Sequence, residues 1–149
     1  MKKKIEQADR THPAFKNKNA DPFYNIVMEG LADEVDGEHF WDAVAEDAVF
    51  EFLYNFEGFP NRLEGRKVYM DWFSGYGNVL HSADGLRVYK SANPANVIIL
   101  EYAVHGNVPS TKKEYHNRFC SIITIKHRKI IHWRDYMDSL AVVLSSSRD

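Results

Sequence analysis

The strongest constraint on the fold lies in residues 114–138, where two apolar-rich runs flank a short basic connection. Both runs, residues 115–125 and 130–137, are enriched in β-branched and aromatic residues, which favour a pleated strand. The connection, residues 126–129, is short enough to join neighbouring antiparallel strands. The sequence therefore predicts a long antiparallel β-hairpin with a solvated basic tip.

Strand alternation places one carboxyl group, that of Asp135, on the apolar side of this hairpin. A carboxyl group among apolar side chains is desolvated, which raises its pKa toward the range that suits proton transfer near neutral pH. The alternative is a structural role in an ion pair or a backbone cap, because such carboxylates are perturbed as well. The residues predicted to share this face are Ile131, Trp133, Asp135 and Met137 in the second run, with Tyr115, Asn117, Phe119, Ser121 and Ile123 in the first.

Composition narrows the class of protein. The 149 residues suffice for one ordinary domain, and a content of 44% hydrophobic and 13% aromatic residues predicts a folded chain with an aromatic core or cavity. A net charge of −2 predicts no nucleic-acid partner, and the sequence has no run long enough to span a membrane. The single cysteine, Cys120, and the lack of an apolar stretch after the lysines of residues 2–4 predict a cytoplasmic protein. The seven histidines are scattered, so we expect no metal site.

The rest of the chain predicts helices before strands. A first helix is expected from Asp21, as N-cap, to about Val35, a second helix over residues 38–47, and a third from Arg66 to about Tyr76. Strands are expected at residues 48–54, 86–90 and 97–104, ahead of the hairpin. We interpret residues 1–20 as an N-terminal tail or arm, 21–144 as one domain and 145–149 as a C-terminal tail. This order predicts an α+β fold in which three helices from the N-terminal half and a curved antiparallel sheet enclose a pocket.

Three short motifs resemble the SnoaL-like branch of the nuclear transport factor 2-like superfamily, which includes ketosteroid isomerases. They are the helix-to-strand junction at residues 44–50, the Glu-Gly-Arg of residues 64–66 and the closing run at residues 131–138. The resemblance covers residues 21–144 and implies a cone-shaped α+β fold with a deep pocket. It leaves function open, because this fold hosts isomerases, polyketide cyclases, epoxide hydrolases, dehydratases and non-catalytic binding modules.

Within the superfamily the chain looks closest to the phenazine-biosynthesis A/B proteins. Their Tyr-x-Asn-x-Phe run matches residues 115–119, and their pocket acid falls on Asp135. Their pocket tyrosine falls on Tyr115, whereas Trp72 and Tyr76 stand where they carry histidine and serine, which argues against the same substrate. Limonene epoxide hydrolases also match at Asp135. However, Phe50 and Phe52 replace their water-holding residues, which argues against epoxide hydrolysis.

The resemblance and the predicted pocket face together imply a cofactor-independent enzyme acting beside a carbonyl group, as an isomerase, cyclase, condensing enzyme or dehydratase. Asp135 would be the acid/base, Tyr115 would polarise the substrate and Asn117 would orient it. The alternative is a non-catalytic module that binds a small apolar or aromatic ligand in the same pocket. We expect the pocket walls to be Phe50, Phe52, Trp72, Tyr76, Phe119 and Trp133.

The outer face of the predicted sheet is too mixed and too aromatic to be simply solvated. Members of the superfamily commonly dimerise through this face, so the resemblance implies a homodimer. The residues that we assign to it are His116, Arg118, Cys120, Ile122, His132, Arg134 and Tyr136.

Overall fold

The computed structural model of the protein describes residues 7–54 and 57–147. Residues 1–6 of the predicted arm and residues 148–149 of the predicted tail lie outside this range. The helices are α1 (Pro13–Lys16), α2 (Asp21–Leu31), α3 (Phe40–Ala43), α4 (Arg66–Tyr76) and α5 (Ser139–Ser146), with short 3-10 turns at Lys18–Ala20 and Ala32–Glu34. The strands are β1 (Val44–Phe52), β2 (Arg62–Glu64), β3 (Leu80–Lys90), β4 (Val97–Asn107), β5 (Glu114–Lys126) and β6 (Lys129–Met137).

The six strands form one curved, unclosed sheet in the order β2-β1-β6-β5-β4-β3. The α+β prediction is confirmed, although the sheet is not wholly antiparallel because β1 and β6 pair in parallel. This pairing covers the edge that β6 would otherwise expose at the end of the β3–β6 meander. It sets Phe50 beside Trp133 and Phe52 beside Asp135. No described helix is long and apolar enough to cross a membrane.

The predicted hairpin is confirmed as β5 and β6, whose register sets Ser121 opposite Asp135. One detail of the predicted alternation is wrong. The register shifts between Thr124 and Ile125, so the extra residue in β6 reverses the direction of the side chains before it. Ile130, with no exposed surface, therefore faces the core, and Ile131 is only partly buried.

The predicted helices and strands differ from the structure mainly at their ends. Helix α2 stops at Leu31 because Ala32 takes a positive φ of 48°, and its N-cap is Ala20 rather than Asp21. Helix α3 is a single turn, since the chain already pairs with β6 at Val44. Strand β1 ends at Phe52, and β3 begins six residues earlier than expected. The sequence analysis did not predict α1, β2 or α5.

The described part of the N-terminal arm packs on the domain itself. Ala8, Ala14 and Ala20 are buried, and the backbone N–H of Ala8 donates to Asp42 Oδ1 over 2.9 Å. Arg10 donates to both oxygens of the same carboxylate, each over 2.6 Å. The arm thus joins α3 to the remainder of the helical layer, which packs on the inner face of the sheet.

Candidate active site around Asp135

A narrow aromatic cavity lies between α4 and the inner face of the sheet. The centre of a water-sized sphere can move within about 20 Å³ of this cavity. The cavity therefore has room for roughly one water molecule. Any ligand larger than water must therefore displace side chains to enter. The lining residues are Phe23, Phe52, Tyr54, Phe59, Tyr69, Trp72, Phe73, Tyr76, Val104, Phe119, Asp135 and Met137.

Asp135 is the single carboxylate of this lining, and its two oxygens have different surroundings. Oδ1 accepts hydrogen bonds from Ser121 Oγ at 2.5 Å and from the indole Nε1 of Trp133 at 2.6 Å. The hydroxyl of Tyr102 lies 2.9 Å from Ser121 Oγ, and it donates there because the hydrogen of Ser121 is used toward the carboxylate. Oδ2 has no hydrogen-bond partner among the described residues. The arrangement fixes the plane of the carboxyl group and leaves one oxygen available at the cavity.

Burial controls the protonation of Asp135. Desolvation raises the pKa of this carboxyl group from 3.8 to about 7, and the hydrogen bonds from Ser121 and Trp133 oppose the rise only in part. The aromatic walls exclude water from Asp135, and this exclusion is the main cause of its raised pKa. A carboxyl group with this pKa can exchange a proton near neutral pH.

Five of the nine predicted site residues line the cavity: Phe52, Trp72, Tyr76, Phe119 and Asp135. Trp133 and Phe50 lie behind the lining. Trp133 binds Asp135 through its indole nitrogen, and Phe50 stacks on the ring of Tyr69 with centroids 3.9 Å apart. Both residues therefore act on the cavity through the residues that line it.

Tyr115 and Asn117 belong to a separate hydrogen-bond group outside the cavity lining. The hydroxyl of Tyr115 lies 2.7 Å from that of Tyr76 and accepts from Asn117 Nδ2 over 2.9 Å. Asn117 Oδ1 accepts the backbone N–H of Asp138 over 3.0 Å, which ties β5 to the end of β6. In this arrangement Tyr115 and Asn117 position Tyr76 and the strand end, and neither is hydrogen-bonded to Asp135.

Tyr69 is a candidate that the sequence analysis did not select. It lines the cavity on α4, its side chain is almost wholly buried, and its hydroxyl makes no hydrogen bond to any described residue. Burial and the nearby Asp135 charge raise the pKa of Tyr69, so the hydroxyl stays protonated as a donor. Helical spacing places Tyr69 on the same side of α4 as Trp72 and Tyr76, but only the packed structure sets it at the cavity with Asp135.

Other cavity residues escaped the sequence analysis for the same reason. Ser121 was placed on the inner face without a role, although it binds Asp135 directly. Tyr54 also lines the cavity, and burial followed by the charge of Asp135 raises its pKa. Phe23 and Phe73 come from two different helices, so no local pattern relates them to Asp135.

The curved sheet, the helices on its inner face and the enclosed acidic cavity define the class of protein. The chain has the NTF2-like fold, which it shares with solved structures described as NTF2-like and as a SnoaL-like polyketide cyclase. No protein-family model matches the chain. Among curated proteins, it is similar to the uncharacterized protein YesE of Bacillus subtilis, with 36% identity over 104 residues, which is 68% of each chain.

Two solved structures are similar over most of their length. One is the crystal structure of a Bacillus subtilis protein named as a candidate isomerase, with 28% identity and a TM-score of 0.68 over 93% of this chain and 95% of that one. The other is a phenazine biosynthesis-related protein of Pseudomonas aeruginosa, with 16% identity and a TM-score of 0.61 over 94% of this chain and 86% of that one. The second likeness shows the fold alone.

Proposed function

We propose that this protein is a cofactor-independent enzyme that transfers a proton at a carbon atom beside a carbonyl group, as an isomerase, cyclase, condensing enzyme or dehydratase. The observation that supports this most is Asp135, buried at an aromatic cavity with its pKa raised to about 7. Near neutral pH both forms of the group are then populated, as a residue that removes and returns a proton requires. The likeness to the Bacillus subtilis protein named as a candidate isomerase supports the same class.

The proposed reaction uses the two oxygens of Asp135 differently. Oδ1 stays bonded to Ser121 and Trp133, which holds the carboxyl plane. Oδ2 takes a proton from the carbon next to the carbonyl group, and the electron pair of that C–H bond moves toward the carbonyl oxygen. The hydroxyl of Tyr69 donates a hydrogen bond to the developing oxyanion. The carboxylic acid then returns the proton, so the step balances without a cofactor.

The charge of the cavity favours an uncharged substrate. Its described lining contains no lysine, arginine or histidine, and Asp135 is the one carboxylate. A substrate bearing a carboxylate or phosphate would lose its hydration without gaining a cation. We therefore propose an apolar or aromatic carbonyl compound. The lining residues Tyr54, Phe59, Trp72 and Met137 are only partly buried, and they are the side chains that we expect to move when it enters.

Proton exchange into deuterated water tests this function without knowledge of the product. A panel of uncharged aromatic ketones is incubated with the protein in D₂O, and loss of the hydrogen next to the carbonyl group is followed by proton NMR. We expect exchange with at least one ketone, reduced about 100-fold or more in Asp135→Asn. Asp47→Asn, which changes an exposed carboxyl group on β1, is the matched control and should exchange normally.

A non-catalytic binding module is the second candidate. The observation that favours it is the separation of Tyr115 from the cavity, which leaves Asp135 without the tyrosine predicted from the phenazine-biosynthesis proteins. Saturation-transfer NMR on the same panel distinguishes the two functions. If a ketone binds but its hydrogen exchanges no faster than in buffer at any pH between 5 and 9, the enzymatic proposal is wrong and the binding module is favoured.

Two further proposals concern the working state of the protein. We propose that it acts as a homodimer through the outer face of the sheet, and that it works in the cytoplasm. The mixed and partly aromatic composition of that face supports the first, and the single cysteine supports the second.

A further inference from the structure

Four polar side chains form a hydrogen-bonded row on the outer face of the sheet, on the side opposite the cavity. His105 of β4 stands directly across from His116 of β5 in the strand register. Their Nδ1 atoms are 2.7 Å apart. His105 Nε2 lies 3.1 Å from Asp84 Oδ1, and His116 Nε2 lies 3.3 Å from Glu114 Oε2. The row therefore runs carboxylate, imidazole, imidazole, carboxylate.

The two carboxylates fix where the imidazole hydrogens lie. An ionised carboxylate only accepts hydrogen bonds, so each Nε2 must carry its hydrogen toward Asp84 or Glu114. In two neutral imidazoles both Nδ1 atoms then present lone pairs to each other. That arrangement is repulsive unless a positive charge lies between them. The gap between His105 and His116 thus has the chemistry of a cation site, filled by a proton or by a metal ion.

We propose that His105 and His116 bind one divalent transition-metal ion, such as Zn²⁺, Cu²⁺ or Ni²⁺, through their Nδ1 atoms. Imidazole nitrogen is a preferred ligand of these ions. A ligating histidine almost always donates its other ring N–H to a carboxylate or carbonyl oxygen, as both histidines do here. The two carboxylates also supply the negative charge that a dication neutralises.

The geometry requires only a small adjustment. Two nitrogens bound to a tetrahedral zinc ion at about 2.0–2.1 Å are roughly 3.4 Å apart. The present separation of 2.7 Å must therefore widen by less than the width of an atom. The side chains of His105 and His116 are 24% and 58% exposed in the single chain, so their rings can turn. In the proposed homodimer the ion would lie at the outer-face interface, to which His116 belongs.

The site offers two protein ligands. In the described part of the chain, no group of three or more histidine, cysteine, aspartate or glutamate side chains is arranged to hold a metal ion. Water molecules would fill the remaining coordination positions. Such a site selects imidazole-binding ions over Ca²⁺ and Mg²⁺, which prefer oxygen ligands.

Metal titration of tag-free, metal-stripped protein tests the proposal. We expect isothermal calorimetry to give one Zn²⁺ per chain, and the electron paramagnetic resonance spectrum of bound Cu²⁺ to show coupling to imidazole nitrogen. His105→Gln and His116→Gln should each weaken binding at least tenfold. His132→Gln is the matched control, because His132 is also an outer-face histidine bonded to a carboxylate, Glu51 at 2.8 Å, but its described contacts include no second histidine.

Three results would overturn the proposal. One is the absence of binding to the unchanged protein. Another is binding that persists in both His105→Gln and His116→Gln, which would place the ion elsewhere. The third is a nitrogen NMR spectrum in which His105 and His116 share a proton that added Zn²⁺ does not displace. Asp84→Asn, which keeps both ligands, should weaken binding by a smaller factor than either histidine variant and should keep the circular dichroism spectrum.

Discussion

Among the described residues two aspartates, Asp42 and Asp135, are buried, and their surroundings shift their pKa values in opposite directions. Asp42 accepts two hydrogen bonds from Arg10 and one each from the backbone N–H groups of Ala8 and His39. Burial tends to raise the pKa of Asp42, but these bonds and the Arg10 charge lower it overall. Asp135 receives neutral donors on one oxygen only, so burial dominates and its pKa rises to about 7. The fold stabilises charge at Asp42 and penalises it at Asp135.

This penalty predicts an unusual dependence of stability on pH. The folded-state pKa of Asp135, about 7, lies above its ordinary value of 3.8, so the folded chain keeps a proton that the unfolded chain has lost between these values. The contribution of Asp135 to the free energy of unfolding is therefore full below pH 3.8 and is lost as the pH rises to about 7. At about 1.4 kcal/mol per unit of pKa, the loss reaches roughly 4 kcal/mol.

Asp135→Asn should remove this pH dependence. The amide keeps an oxygen for Ser121 and Trp133 but carries no charge. The variant should therefore gain roughly 4 kcal/mol of stability relative to the unchanged protein at pH 8 and less than about 2 kcal/mol at pH 5. Urea denaturation at the two pH values measures the difference. Asp47→Asn should retain the original slope. An unchanged slope in Asp135→Asn would mean that Asp135 is ionised in the folded state.

Tyr69→Phe should separate function from stability. The Tyr69 hydroxyl has no partner among the described residues, so its loss should change the free energy of unfolding by less than about 0.5 kcal/mol. If Tyr69 stabilises an oxyanion, ketone exchange should fall roughly 100-fold. The control is Tyr24→Phe, which removes a buried hydroxyl that donates to the Ala14 carbonyl over 2.8 Å.

The control should behave in the opposite way. Loss of the Tyr24 bond leaves the Ala14 carbonyl without this donor and should cost about 1–3 kcal/mol of stability. Exchange by Tyr24→Phe should persist wherever the protein remains folded. If Tyr69→Phe exchanges ketone hydrogens at the normal rate, then Tyr69 does not stabilise the oxyanion.

At the scale of secondary-structure elements, the N-terminal arm holds the helical layer together. Arg10 binds Asp42 in α3, and His12 Nε2 lies 2.6 Å from Asp71 on α4, the helix that carries much of the cavity wall. Tyr24 on α2 donates to the carbonyl of Ala14 in α1. The arm therefore contacts all three helices that the sequence analysis predicted.

Arg10→Ala should loosen this arm. The change leaves the Asp42 carboxylate, whose side chain is 2% exposed, without its charged partner. Removing one partner of a buried ion pair costs about 3–5 kcal/mol, and the partial exposure of Arg10 should place the loss at the low end. Denaturation gives the loss, and hydrogen exchange at the Ala8 amide reports release of the arm.

Lys67→Ala is the control for Arg10→Ala. It removes an exposed helix pair with Asp71 at 3.0 Å, and such pairs contribute only about 0.3–0.5 kcal/mol. A similar loss in both variants would mean that the Arg10 bond adds no more than a surface ion pair.

At the scale of the whole molecule, we expect the outer sheet face to form the interface of the proposed homodimer. Tyr136 is 43% exposed on this face. We expect the protein to sediment at about twice its chain mass of 17.3 kDa. Tyr136→Glu should shift it to the monomer, because a charge would be buried at the interface. Val68→Glu changes a residue that is 46% exposed on α4 and should leave the dimer intact. If the protein without substitutions sediments as a monomer, the homodimer prediction is wrong.

The sequence by itself determined the features that depend on local periodicity. Alternation along β5 and β6 placed Asp135, Tyr115, Asn117 and Phe119 on the buried face, because successive side chains of a strand point to opposite sides. The 3.6-residue helical period likewise predicted helix α4 and grouped its aromatic residues on one side of the helix. The α+β class followed from the order of these elements.

Only the tertiary structure decided which of those buried residues meet. The parallel pairing of β1 with β6 brings Phe52 beside Asp135, although 83 residues separate them in the sequence. The bulge in β6 reverses Ile130 and Ile131, and Tyr115 bonds Tyr76 rather than lining the cavity. Tyr69 joins Asp135 at the cavity because α4 packs over the sheet. Such contacts depend on long-range packing, which no short period in the sequence encodes.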